Sequence, residues 1–247
     1  MTGVQTCALP IYHGSEHMIY LCTRDLNEEQ IIKLKSLYSN IIISNKEINF
    51  DLISKRANMS KEKILELKKH IETDAVTKNT FLWKQAISVE DRYRTSIVEA
   101  MDNYPNEDYL IHFDMDMYFR KPLHDLFETI RNNDISIKFR LKSKISRKVM
   151  GGLIGFRICK ETREFMNRWI YYIDKIPLYE KPLGYGQSSF YYAYKDLEKE
   201  YKWGQVRSQY ISPRFEEDDF IWSGNTKSGK VINLKKCRDD FNKRRNC

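Results

Sequence analysis

Asp114 and Asp116 close the apolar run Tyr109-Leu110-Ile111-His112-Phe113 and form the only Asp-x-Asp in the chain. Two residues apart in extended backbone, both carboxylates face one side while Met115 faces the other. Two hard oxygen donors at this spacing can share one divalent cation. A magnesium- or manganese-like ion takes one or two carboxylates and completes its shell with water and substrate phosphates, so the pair points to a nucleotide-diphosphate site. A competing reading is a strand that runs into a turn, with both acids solvated or capping it.

The elements that must position this pair follow from the pattern around it. A continuous apolar run reads as a buried parallel strand, and open α/β sheets bind ligands beyond the carboxyl ends of their strands. Upstream, Met18-Ile19-Tyr20-Leu21-Cys22 reads as a strand and Asn27-Glu28-Glu29-Gln30 as the start of a helix carrying Ile31, Ile32, Leu34 and Leu37 on one stripe. Ile41 to Ile43 reads as the next strand, giving a β-α-β rhythm. Residues 50 to 80 are charged and read as mostly helical, with a helix start at Ser60. Trp83, Ile87, Tyr93, Ile97, Val98 and Met101 are spaced for a helix that delivers the chain into the acidic strand. Downstream, a short helix with Leu126, Phe127 and Ile130 is expected after Lys121-Pro122-Leu123. Strands are expected at Ile135 to Phe139 and Gly152 to Phe156. An amphipathic helix from Glu161 to Ile173 carries Phe165, Trp169 and Ile173. A loop marked by Pro177, Pro182, Gly184 and Gly186 leads to a helix from Ser188 to Leu197, and the tail from Pro213 reads as irregular. This order predicts an α/β fold with a doubly wound sheet and flanking helices.

At 247 residues the chain fits one such domain. Charged residues make up 31% and hydrophobic residues 41%, an ordinary globular balance. No apolar stretch reaches the roughly 20 residues that span a bilayer. The net charge of +8, concentrated partly in Lys235-Lys236-Cys237-Arg238 and Lys243-Arg244-Arg245, favours anionic partners such as sugar nucleotides or an acidic membrane surface touched peripherally. The same terminal run also reads as a solvated tail. The 16 Tyr and 12 Phe form no stacking motif for nucleic acid, so none is expected as a partner. Five cysteines without metal-ligand spacing, and no secretory signal, read as reduced thiols in the cytoplasm, at most at the inner face of a membrane. Residues 1–11 look like a translated sequencing-library adapter and are set aside as a non-native leader, leaving residues 12–247 as the single domain. The natural amino terminus is then expected to lie upstream, with a strand missing beside Met18 to Cys22.

With these elements in order, the chain resembles the Asp-x-Asp nucleotide-diphospho-sugar transferases of the GT-A fold over roughly residues 18 to 235. The resemblance rests on Asp108 to Asp116 with Lys121-Pro122-Leu123, on Gly151-Gly152-Leu153-Ile154-Gly155-Phe156-Arg157, and on Gly186-Gln187-Ser188-Ser189-Phe190. It implies a mixed sheet with flanking helices and transfer of a sugar from a nucleoside-diphosphate donor to a hydroxyl of a glycan, lipid or protein. Asp114 and Asp116 would hold manganese or magnesium on the diphosphate, stabilising charge on the leaving group. Arg94 matches an arginine that faces the donor, or makes a surface salt bridge. Gly151 and Gly152 would let the donor sugar lie on backbone, or mark a plain turn. Gln187 matches the second member of an acidic-Gln pair near the acceptor, with Gly186 in place of the acid. Ile221 to Lys230 resembles a loop that closes over the diphosphate, with Ser223 where many relatives have a histidine ligand. Lys230, with Lys227 as alternate, would neutralise phosphate or be an exposed turn lysine. Asp218 and Asp219 are candidate acceptor-side bases or solvated loop acids.

Two rival readings stand beside this one. Gly186, Ser223 and the missing strand fit a degenerate relative that binds a sugar nucleotide without transfer. An aspartate-dependent phosphotransferase of the haloacid-dehalogenase type would use Asp114 as nucleophile and Asp116 as general acid. That class follows its second aspartate with a small residue or Gly-Thr, whereas Met117-Tyr118 follows here.

Overall fold

The computed structural model describes residues 18–24, 26–37, 40–46, 51, 54, 59–66, 96–113, 117–121, 124–140, 142–175, 185–212, 218–223 and 239. Strand β1 (Ile19–Arg24), helix α1 (Glu28–Leu37) and strand β2 (Ile41–Lys46) form the expected β-α-β unit, with β1 and β2 parallel and Ile19 opposite Ile41. Asn27 and Gln30 start α1 as a reciprocal capping box: the Gln30 amide donates to Asn27 Oδ1 at 2.9 Å, and the Asn27 amide donates to Gln30 Oε1 at 3.0 Å. Ile31 and Leu34 are half-buried, but Ile32 is 67% exposed. The apolar stripe is therefore narrower than expected, because Ile32 lies about 100° around the helix from Ile31. A helical turn over residues 61–66 begins at Ser60, whose hydroxyl accepts from the Lys63 amide at 3.3 Å.

Helix α2 (Ser96–Asn103) leads into β3 (Tyr109–Phe113). The described part of the long helix expected before the acidic strand is this one, with Ile97, Ala100 and Met101 buried. A four-stranded sheet follows in the order β3-β6-β5-β7, built with β5 (Ile135–Phe139), β6 (Val149–Arg157) and β7 (Trp203–Gln205). Here β3 differs from expectation. It pairs antiparallel with β6, and all five of its residues are only half-buried. Its apolar run reflects one covered face and one partly covered face, not a strand buried between parallel neighbours.

Strand alternation sorts the core into two layers. Ile135, Ile137, Ile154 and Phe156 point into a cluster with Phe165, Trp169 and Ile173 of α4 (Lys160–Lys175) and Phe190, Ala193 and Leu197 of α5 (Tyr185–Leu197). Leu153 points to the other face, with Leu126 and Ile130 of α3 (His124–Arg131), Val206, Tyr210, Ile211 and Ile221. Helices thus cover both faces of a mixed sheet, as the doubly wound reading requires. Asp134 staples the sheet at its start. It accepts from Arg157 Nη2 at 2.5 Å and from the Lys202 amide at 2.8 Å, linking β5, β6 and the entry to β7.

The tail expected to be irregular holds a further strand, β8 (Ile221–Ser223). It forms an antiparallel ribbon with β4 (Met117–Phe119). Neither β7 nor β8 is legible in the sequence, because three residues are too short to establish a period. Residues 1–11, and any strand they would or would not form beside β1, lie outside the described residues.

Candidate active site

Register builds the site from two sides. At the end of β3, Phe113 pairs with Leu153, so the chain leaves that strand one position from Gly152. At the start of β4, Met117 pairs with Ser223. The described residues on either side of Asp114 to Asp116 are thus held by Leu153, next to Gly152, at one end and by Ser223, the last residue of β8, at the other. Asp114, Asp116, Arg94, Lys227 and Lys230 themselves lie outside the described residues. Among the described residues there is no group of three or more His, Cys, Asp or Glu that could hold a metal.

The third side is the first turn of α5. A Cβ built on Gly151 would sit 3.9 Å from Cγ of Gln187, so these two predicted residues are neighbours across the gap between sheet and helix. The expected loop through Gly186 is a correction: α5 begins at Tyr185, three residues early, and takes Gly186 and Gln187 into its first turn. A glycine is tolerated there because Trp169 secures it, its indole Nε1 donating to the Gly186 carbonyl at 3.0 Å. Trp169 is itself held by edge contacts with Phe190 at 4.8 Å between ring centroids. An aromatic stripe read only as core thus also fixes the backbone beside Gln187. The amide-rich end of the α5 dipole, which favours negative charge, lies on this side of Gly151.

Asp219 does not join this group. It is buried, unlike the exposed Asp218, whose carboxylate accepts from Gln209 Nε2 at 3.3 Å. Its electrostatic neighbour is Lys138 of β5, a buried lysine whose ammonium donates to the Ile211 carbonyl at 3.4 Å. Burial, and then the nearby Arg140, hold Lys138 below the ordinary lysine range, and Asp219 pulls it the other way. Lys138 pairs with Met150, which packs in the Ile211 layer, whereas Gly151 faces Gln187 in the α5 layer. Asp219 and Gln187 therefore sit on opposite faces of the sheet. Lys138 was missed in the sequence because Ile135-Ser136-Ile137-Lys138 alternates like a strand with one wet face.

No protein-family model and no curated protein matches this chain. Among solved structures it is similar to the galactosyltransferase LgtC in complex with donor and acceptor sugar analogs, with a TM-score of 0.50 and 9% identity over 93% of this chain and 86% of that one. At that identity the two share a fold. The chain is thus an α/β protein, a mixed sheet with flanking helices, with the fold of that structure. No described helix is long and apolar enough to cross a membrane.

Proposed function

We propose that this protein transfers a sugar from a nucleoside-diphosphate donor to a hydroxyl acceptor. What supports the reading is the pairing of Phe113 with Leu153, next to Gly152, of Met117 with Ser223, and the approach of Gly151 to Gln187, in a fold similar to that of a galactosyltransferase bound to donor and acceptor sugar analogs. Two carboxylates one residue apart in sequence suit a hard divalent ion that also takes substrate phosphates, so Asp114 and Asp116 would hold manganese or magnesium. When bound, that ion would neutralise the departing diphosphate. Gly151, half-buried, and Gly152, buried, would bring backbone against the donor sugar, and Gln187 offers an amide that can donate and accept toward sugar hydroxyls. Arg94 and Lys230 are assigned to the diphosphate by charge. Asp219, facing Lys138, is assigned to ordering the chain that enters β8 rather than to proton abstraction.

Calorimetry with a panel of sugar nucleotides plus manganese, followed by a donor-hydrolysis assay, tests the reading. Asp116→Ala should cut metal-dependent hydrolysis or transfer by about a hundredfold or more while the far-ultraviolet dichroism stays unchanged. Turnover equal to the parent chain would sink it. Gly186 and Ser223, which stand where relatives carry an acid and a histidine, favour a second reading: a binder that holds sugar nucleotides without transfer. Binding with no hydrolysis in any pairing selects that one.

A further inference from the structure

The connection between β5 and β6, residues 140–148, is the most one-signed described segment of the surface. Arg140, Lys142, Lys144, Arg147 and Lys148 supply five cations, and no acid interrupts them. Arg140, Lys142, Lys144 and Arg147 are exposed and none makes an ion pair among the described residues, whereas Lys148 lies 5.0 Å from the centroid of the Tyr191 ring. The segment has a fixed shape. The Arg140 amide donates to the Lys148 carbonyl at 2.6 Å and the Ser143 amide to the Arg140 carbonyl at 2.9 Å. A 3-10 turn, Ile145–Arg147, caps the hairpin, with the Arg147 amide donating to the Lys144 carbonyl at 2.8 Å. In that turn, between Lys144 and Arg147, Ile145 is 41% exposed.

We propose that this hairpin docks the protein on an anionic lipid bilayer. A discrete soluble anion calls for several donors aimed at one point, whereas these exposed cations are spread along a nine-residue hairpin. A planar, laterally mobile array of negative headgroups can meet all of them at once. The exposed isoleucine separates lipid from other polyanions. It gains nothing from a phosphate or a sulfated sugar, whereas in a bilayer it enters the acyl boundary with lysine and arginine at headgroup level. No aromatic side chain in residues 140–148 offers the stacking platform a single-stranded nucleic acid would use. Strand β6 follows Lys148 directly and reaches Gly151 at its third residue, so docking would set Gly151 and its neighbour Gln187 close to the membrane.

The test is co-sedimentation of the full chain with phosphatidylcholine vesicles, with and without phosphatidylserine, at low and high salt. It reads binding and not turnover, so its outcome is separate from that of the sugar-transfer reading. The parent chain should bind only the phosphatidylserine vesicles and be released by salt. The triple variant K142Q/K144Q/R147Q should bind at least about tenfold more weakly, and Ile145→Ser about threefold more weakly with its salt dependence retained. Thermal melts matching the parent would show both variants folded. Undiminished binding by the triple variant would overturn the proposal and move the contact elsewhere on the chain. Absence of binding to phosphatidylserine vesicles would overturn it too, as would binding to a soluble sulfated glycan in preference to vesicles.

Discussion

At Gly151 a methyl group tests the site without testing the fold. Among the described residues an added Cβ meets only Gln187 Cγ, at ordinary van der Waals distance, and the backbone there is one any residue adopts. Gly151→Ala should therefore leave stability within about 0.5 kcal/mol. It should weaken sugar-nucleotide binding by about tenfold, because the methyl takes volume assigned to the donor; calorimetry on the variant checks both halves. A second residue sets a pH limit. Burial, first, and nearby Glu164 push the Tyr201 hydroxyl from 10.0 up to about 12. Above pH of about 10 the unfolded chain loses this proton while the folded chain keeps it, so stability falls as pH rises from about 10 to about 12. The loss from this group should reach about 2 kcal/mol, and Tyr201→Phe should flatten that part of the urea-midpoint against pH curve. An unchanged curve would mean the phenol is wet in the folded state.

Among the elements, α3 and β6 depend on a single missing methyl. A Cβ on Gly155 would lie 2.7 Å from Ile130 Cδ1 and closer still to Cγ1, and Ile130 is fully buried. The helix must then lift, so Gly155→Ala should cost about 1–3 kcal/mol in urea unfolding. Adding Ile130→Ala, which removes all three clashing atoms, should recover part of that cost, although alone it destabilises by about 2–5 kcal/mol. Full additivity of the two would show that they do not touch. The sequence made some of these elements plain and hid others for local reasons. The start of α1 was legible because Asn27 and Gln30 satisfy its free amides within the segment itself. The start of α5 was not, because its support comes from Trp169, seventeen positions upstream.

On the scale of the whole molecule, one carboxylate joins two layers. Glu99 of α2 accepts from the Tyr20 hydroxyl of β1 at 2.7 Å and from the Ser44 hydroxyl of β2 at 3.0 Å. The Tyr20 ring also meets Tyr104, just beyond α2, edge to face at 5.8 Å between centroids. Among the described residues, the β1-α1-β2 unit contributes a small cluster of Ile19, Leu21 and Ile41, with Leu34 and Ile43 against it. It therefore leans on α2 for its anchorage. Glu99→Ala should raise amide exchange in β1 and β2 by about tenfold, corresponding to roughly 1–2 kcal/mol of local opening. Protection in β5 and β6 should stay unchanged, and a uniform rise over all strands would show a single cooperative unit instead.

The sequence by itself determined what lies within one element's reach. Apolar periods fixed β1, α1, β2, β5 and α4 to within a few residues, since a helix or strand must bury one face wherever the rest of the chain goes. Chemical type and spacing singled out Asp114 and Asp116 as a pair, and the glycines and Gln187 as companions through resemblance. Only tertiary structure decided which of the described candidates meet. Antiparallel register brought the end of β3 beside Gly152, and an early helix start brought Gln187 onto Gly151. A bulge in β6 leaves Gly151, Gly152 and Leu153 without partners in β5 and shifts the register between Ile137 and Lys138, and Lys138 is buried there beside Asp219 on the opposite face. Those outcomes depend on pairing between segments tens of residues apart, where a shift of one position exchanges the two faces of a strand, and no local pattern records that choice.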